Sequence, residues 1–412
     1  MSIEAIPSKA SATEPRQRTA TARRAVICAF AATGGLATNI FLPSLPAIAA
    51  DLHVSSAAVT SSITVFLAIF AVGQLIVGPL SDRLGRQMPI LIGLCIFVQG
   101  TIWCALAGDL LGLLIGRSIQ AAGACTVAVL SRAIARDLFD GQALGKVMAS
   151  ITIATAAAPG FSPLVGSALD HLFGWRFEFA FVAVFAICAG AAYVVFVGET
   201  KAAADNSLHP LKIAGCYLGL IRDARFAAPA RTASLLMAGV FAVFSGAPRV
   251  LLEGFGLSPI TIGSLFASVV FLVFGAGMLA PRLSARFGSR LATLAGLALA
   301  ALGALLLLAV VLTGNDALLP FLATASLFLF GVGIASPLSS AAALSPFGDR
   351  AGLAAALFGF SQMAGAACGV SLAAILSSEP AIGLGAVLAL TSLAALVLHG
   401  WEGQLKQSRL QL

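Results

Sequence analysis

The sequence predicts an all-α membrane protein, with twelve transmembrane helices in two pseudo-symmetric six-helix bundles. Three observations carry this prediction. Of 412 residues, 59% are hydrophobic and 10% are charged, and the mean hydropathy is +1.01. Soluble domains carry about 25% charged residues. The apolar residues also fall in runs close to the roughly 20 residues needed to cross a hydrocarbon core. Finally, Leu80-Ser81-Asp82-Arg83-Leu84-Gly85 recurs as Leu283-Ser284-Ala285-Arg286-Phe287-Gly288, 203 residues on and close to half the chain. A soluble enzyme and a disordered chain are excluded by this composition.

Residues 1–24 form a polar tail containing Pro7, Pro15, Arg16 and Arg18, and they read as disordered. Arg23 and Arg24 then precede the first apolar run. No small-residue cleavage site closes that run, so a retained helix is expected rather than a signal peptide. The N-terminal bundle, 25–197, holds spans at 25–48, 57–80, 88–107, 110–131, 146–169 and 177–197. The polar stretch 198–228 reads as a linker. The C-terminal bundle, 229–400, holds spans at 229–252, 260–281, 290–313, 317–341, 351–377 and 380–400. A second tail follows at 401–412. Two parallel six-helix halves are one of the plans of transporters, with the substrate site between them near the midplane.

Charge orients the spans. On one side of this topology lie 21 Lys and Arg residues, and on the other Arg176 alone. Cytoplasmic loops carry the positive excess, so both tails and the linker are expected in the cytoplasm. Trp103, Trp175 and Trp401 each fall at a span end, where indole finds an apolar body and a wet N–H. The net charge of +7 is scattered over short loops, so no nucleic-acid partner is expected. Seven cysteines show no ligand spacing, and six lie in apolar runs, where buried inert thiols are expected. No metal, cofactor or catalytic residue is expected. The four histidines are scattered over loops and span ends, which gives no convergent set for a membrane enzyme.

Four segments carry chemistry. In the second-to-third loop lies Gly78-Pro79-Leu80-Ser81-Asp82-Arg83-Leu84-Gly85-Arg86. Gly85 permits a tight turn, and Asp82 is an anion able to face a helix N-terminus. The fourth span contains Arg117-Ser118-Ile119-Gln120-Ala121-Ala122-Gly123. A charge at the centre of a span costs about 2.5–3.5 kcal/mol on insertion scales, which marks Arg117 as functional. It lies seven residues in, roughly 10 Å deep at 1.5 Å per residue. The fifth span contains Pro159, Gly160, Ser162, Pro163 and Gly166, small or bending residues that allow close approach of helices. In the seventh span Arg249 and Glu253 are four apart on one face, a pair suited to an ion bridge at the rim or to a cavity role.

The loop motif resembles the signature of the major facilitator superfamily. There it holds the two halves together on the inner side, a role the resemblance extends to Gly78, Asp82, Arg83, Gly85 and Arg86. Arg117, Gln120 and Gly123 fit the Arg-x-x-Gln-x-x-Gly of drug:proton antiporters, in which the Arg serves coupling. The fifth span is similar to their Gly-Pro-x-x-Gly-Gly, with Ser162 and Ser167 in place of two glycines. Asn39-Ile40-Phe41-Leu42-Pro43-Ser44-Leu45-Pro46 is similar to the Asp-x-Tyr-Leu-Pro-x-x-Pro of the bicyclomycin and chloramphenicol resistance branch. Gly174-Trp175-Arg176, Glu199-Thr200 and Ala247-Pro248-Arg249 fit that branch as well.

One departure bears on mechanism. The branch's membrane acid is Asn39 here, which can hydrogen-bond a substrate but cannot exchange a proton. Counted along its span, Asn39 lies level with Arg117 and is expected beside it. Any coupling acid would lie nearer a membrane face, where Asp51, Glu178, Glu253 and Glu379 fall at one side. Phe30, Phe66, Phe70, Gln74, Gln362 and Met363 are further candidates for a cavity lining. The resemblance implies a monomeric, multi-pass exporter of small amphipathic drugs in a bacterial inner membrane, with the proton as coupling ion. The alternative is an exporter or uniporter of a natural metabolite, such as a sugar or amino acid, with altered or no proton coupling.

Overall fold

The computed structural model describes residues 10–200, 210–314, 317–376 and 379–410. Among them no strand occurs, and fourteen α-helices follow in order. The N-terminal bundle comprises α1 (Ala10–Asn39), the short α2 (Leu45–Asp51), α3 (Ser56–Leu84), α4 (Gln87–Leu106), α5 (Leu110–Leu138), α6 (Gly141–Phe173) and α7 (Arg176–Phe196). The connecting α8 spans Pro210–Arg222. The C-terminal bundle comprises α9 (Ala224–Arg249), α10 (Pro259–Phe287), α11 (Ser289–Leu312), α12 (Leu318–Leu344), α13 (Ala351–Ile375) and α14 (Pro380–Leu410). Among the described residues, eleven helices are long and apolar enough to cross a membrane, namely α3 to α7 and α9 to α14. The twelfth long helix is α1.

The half-chain repeat extends well beyond its six-residue motif. α3 and α10 are both 29 residues long and start 203 positions apart. Each opens on a serine cap: Ser55 accepts from the Ala58 N–H and Ser258 from the Thr261 N–H. Each ends at a glycine with φ of 82°, Gly85 and Gly288. Only glycine holds that backbone cheaply. The next helix then packs on its neighbour through a matching pair of small residues. A Cβ on Gly100 of α4 would lie 2.2 Å from the Gln120 nitrogen of α5, and one on Gly303 of α11 would lie 2.4 Å from the Phe328 nitrogen of α12. Without a hydrophobic drive between helices in lipid, such close backbone approach holds the bundle.

The two bundles meet along two seams, α3 against α13 and α6 against α10. In the first, Ser371 donates to Thr64 at 3.3 Å, and Gly359 leaves room for the buried Gln74. In the second, Ser167 donates to the Pro259 carbonyl at 2.9 Å, and Gly160 faces Val270.

Four expectations are corrected. The first span is not one helix over 25–48: α1 stops at Asn39, and α2 restarts only after Ser44. Pro43 disfavours helix in the residue before it, and Pro46 suits the first turn of α2. Residues 10–24 are the opening of α1 rather than a disordered tail, in keeping with their Ala, Arg and Gln content. The stretch 198–228 contains α8, and its Tyr217 hydroxyl donates to the Leu75 carbonyl of α3 at 3.1 Å. α14 continues through the stretch read as the second tail, to Leu410. Two smaller expectations also change. Cys95, Cys188 and Cys368 are exposed on the bundle surface rather than buried. Trp175 is 5% exposed, and its indole N–H reaches Asp51 at 3.3 Å.

Candidate functional site

Arg117 is fully buried in α5, at 0% exposure. Its Nη1 donates to the Ala37 carbonyl of α1 at 2.8 Å and to the Gln120 Oε1 at 2.6 Å. Gln120 in turn donates to the Thr101 hydroxyl of α4 at 2.9 Å. The guanidinium carbon lies 4.5 Å from the Phe41 ring centre and 4.2 Å from that of Phe66. Aromatic faces are among the few surfaces that accept a desolvated cation. Among the described residues no carboxylate pairs with Arg117, and its Nε and Nη2 have no partner. Arg117 and Gln120 together thus tie α1, α4 and α5, while Arg117 holds an uncompensated charge and two spare donors.

Asn39 is also buried, but it does not bond to Arg117. Its Nδ2 turns back to the Gly35 carbonyl at 2.8 Å, and its Oδ1 has no partner. The last turn of α1 offers that carbonyl within the helix, and Arg117 takes Ala37 instead. Of the other lining candidates, Phe66 reaches Arg117, and Phe66 and Phe70 stack at 5.9 Å. Phe30 pairs with Tyr193 of α7.

The α6 motif has a steric role. A Cβ on Gly166 would sit 1.8 Å from the Ile40 carbonyl oxygen, in the gap between α1 and α2. Gly160 faces Val270 of α10 at similarly short range, and Gly263 of α10 faces the Pro163 carbonyl. These residues let α6 lie between α1 and α10, with Pro159 against Gly35 of α1.

Arg249 and Glu253 form their ion pair at 2.9 Å, across the turn of π-helix at Val250–Gly254. Arg249 also lines a small cleft between the bundles, of about 40 Å³. Leu45, Pro46, Thr60, Ser245 and Leu384 share it, from α2, α3, α9 and α14.

At the opposite end of the bundle, Arg86 is 5% exposed. Its Nε donates to Asp137 of α5 at 2.8 Å and its Nη1 to Ser81 at 2.8 Å. Glu199, beyond α7, accepts from the backbone N–H of Arg86 at 2.9 Å and of Gln87 at 3.0 Å. Glu199 thus takes the place read for Asp82, an anion at a helix N-terminus. The side chains of Asp82 and Arg83 lie outside the described residues. The Arg86 bonds described here fall within the N-terminal bundle and brace that half. Gly78, for its part, has open space where a Cβ would stand.

Sequence reasoning missed the burial of Glu178. It was placed near a membrane face, yet it is 0% exposed and accepts from the Ser44 hydroxyl in the gap between α1 and α2. Position along a span tells depth, but not which way the helix face turns.

A family model described as the Major Facilitator Superfamily matches residues 26–370, most of the chain. The uncharacterized MFS-type transporter YdgK of Bacillus subtilis (strain 168) is 32% identical over 334 residues, 79% of this chain and 82% of that one. Multidrug resistance protein D of Escherichia coli (strain K12) is 30% identical over 90% of this chain and 92% of its own. A chloramphenicol resistance protein of Pseudomonas aeruginosa is 29% identical over 78% of this chain and 76% of its own. The crystal structure of the human organic anion transporter MFSD10 shares the fold, with a TM-score of 0.69 at 18% identity, over 92% of this chain and 99% of that one. With its multi-pass helical fold, its motifs and these matches, the chain belongs to the Major Facilitator Superfamily and is similar to its multidrug-resistance transporters.

Proposed function

We propose that this chain exports small amphipathic drugs, of the chloramphenicol or bicyclomycin type, across a bacterial inner membrane. It works as a monomer by alternating access, the 25–197 and 229–400 bundles rocking about the seams between them. Both ends of the chain and the 198–228 connection face the cytoplasm, as the basic loops favour. The exchanged ion is the proton.

The observation that carries this reading is Arg117. It ties α5 to α1, Gln120 carries the link on to α4, and two of its donors are left over. α1 and α5 belong to the same bundle, so this contact travels with it, and the two spare donors are open to an acceptor that arrives during the cycle. Similarity to multidrug and chloramphenicol resistance proteins supports the substrate class.

The test is accumulation of chloramphenicol in a pump-deficient host expressing this chain, with and without a protonophore. Lower accumulation that the protonophore abolishes is the expected result. Unchanged accumulation, with the protein shown to be in the membrane, would refute it. That outcome favours the second reading, an exporter or uniporter of a natural metabolite with altered coupling. The specific observation behind the second reading is Asn39, whose amide binds its own helix where the branch has an acid.

A further inference from the structure

Proton exchange needs a carboxyl group that is shielded from water in one state and reached by it in another. Glu178 sits in the first turn of α7, fully buried. The Ser44 hydroxyl donates to its Oε1, and its Oε2 has no partner. Two residues away, Arg176 is 43% exposed and bonded to Asp51, itself 45% exposed. At 1.5 Å per residue Glu178 therefore lies only about 3 Å along the helix from the wet end of α7.

The electrostatic surroundings can be taken helix by helix. α7 packs against α1, α4 and α6. From α6, Asp170 acts on Glu178. α4 contains no Asp, Glu, Lys, Arg or His, and its titratable groups are Cys95 and Cys104. α1 contains Glu14, Arg16, Arg18, Arg23 and Arg24 toward its other end, and Cys28 beyond them. Asp51 of α2 is committed to Arg176 and Trp175. No cation in this set neutralises Glu178. Ionised, it is a buried charge held by one hydroxyl, an expensive arrangement. Protonated, it is neutral, and its O–H can donate.

Glu178 also stands one residue from the centre. The neighbouring Phe179 ring packs on Phe41 at 5.8 Å, and Phe41 carries the Arg117 guanidinium on its face. Both Phe41 and Ser44 belong to the gap between α1 and α2, the place where the helix breaks. Glu178 is thus linked to the Arg117 site through Ser44 and through the Phe179, Phe41 and Arg117 contacts.

We propose that Glu178 is a proton-binding site that supplies the exchangeable proton Asn39 cannot, and that its protonation resets the gap between α1 and α2. The inference rests on the proton-coupled reading above. The proton adds to and leaves from Oε2, and no other covalent bond changes.

Two measurements test it separately from that reading. The first is pH-difference infrared spectroscopy of the purified full chain in liposomes. Wild type is expected to lose a protonated-carboxyl carbonyl band as pH rises, and Glu178→Gln to lack that band. Ser44→Ala keeps the acid but removes its donor, so the band is expected to move. The band persisting in Glu178→Gln, or unmoved in Ser44→Ala, overturns the site. Should Glu178→Gln fail to insert, Ser44→Ala decides alone. The second is chloramphenicol transport in proteoliposomes. Glu178→Gln is expected to lose accumulation driven by a pH gradient and to keep gradient-free counterflow. Retained gradient-driven accumulation overturns the proposal. If wild type moves no chloramphenicol, the transport reading fails, and the infrared result still decides the proton site.

Discussion

Two glycines of the motifs make opposite predictions when each is replaced by alanine. At Gly166 the new Cβ would stand 1.8 Å from the Ile40 carbonyl oxygen and 2.8 Å from its carbon. Carbon–oxygen contacts begin near 3.3 Å, so α6 and the end of α1 must part by about 1.5 Å. The obstacle is backbone, and no rotamer change can relieve it. Overpacking of this kind costs about 1–3 kcal/mol. Gly78, inside α3, has nothing within 4 Å of its virtual Cβ. Alanine there gains helix propensity worth about 0.5–1 kcal/mol. Thermal unfolding of the purified protein in one detergent reads both. Gly166→Ala is expected to melt below wild type, and Gly78→Ala at or above it. A wild-type melting temperature for Gly166→Ala would refute the packing argument. A loss in Gly78→Ala equal to that in Gly166→Ala would show that motif membership, rather than steric room, decides.

Arg117→Ala is expected to insert normally and to lose transport, and Arg117→Lys to recover little, because an ammonium cannot reproduce the planar guanidinium between two rings. Drug accumulation at matched membrane abundance checks both. Arg86→Ala leaves Asp137, 17% exposed, without its guanidinium, and should cost about 1–3 kcal/mol in thermal unfolding. Asp51 gives a pH signature: the hydrogen bond from Arg176 holds its carboxyl below the ordinary range. A lowered acid stabilises the fold above its unfolded value, about 3.9, and that stabilisation is lost as pH falls through the folded value. Wild type should therefore melt above Arg176→Gln at neutral pH, by a small margin because the pair is exposed, and the margin should close as pH drops below the ordinary carboxylate range.

The fold was legible because a bilayer imposes a coarse rule. Runs of about 20 apolar residues become helices, whatever their neighbours are. The same rule hid the break after Asn39. Ile40, Phe41 and Leu42 continue the apolar run, so hydropathy alone joins 25–48, while Pro43 and Pro46 end one helix and start another. α8 was hidden for the opposite reason: its neighbours 201–209 are polar, and its apolar face is one side of a short helix. At the site, Arg117 was legible because an uncompensated charge in a span is rare. Its partner was not. The partner is a backbone carbonyl, Ala37, and every residue carries one. The role of Glu199 at the start of α4 depended on two segments 112 residues apart, which no local pattern reports.

The charge of Arg117 also bears on what the centre of this protein would admit. Where the resistance branch places an acid, Asn39 contributes no charge, and among the described residues no other carboxylate pairs with the guanidinium. A positive charge brought to about 10 Å from it would be opposed by about 1.7 kcal/mol at an effective dielectric of about 20. That is more than tenfold in binding, since about 1.4 kcal/mol is a factor of ten. A neutral solute of the same shape meets no such term. Glu178 offers no offset while a proton is bound there, because the acid is then uncharged. In this chain, then, loss of the acid at position 39 does more than remove a proton carrier. It leaves Arg117 without a carboxylate partner among the described residues, so a cation brought near it is expected to be opposed where a neutral solute is not.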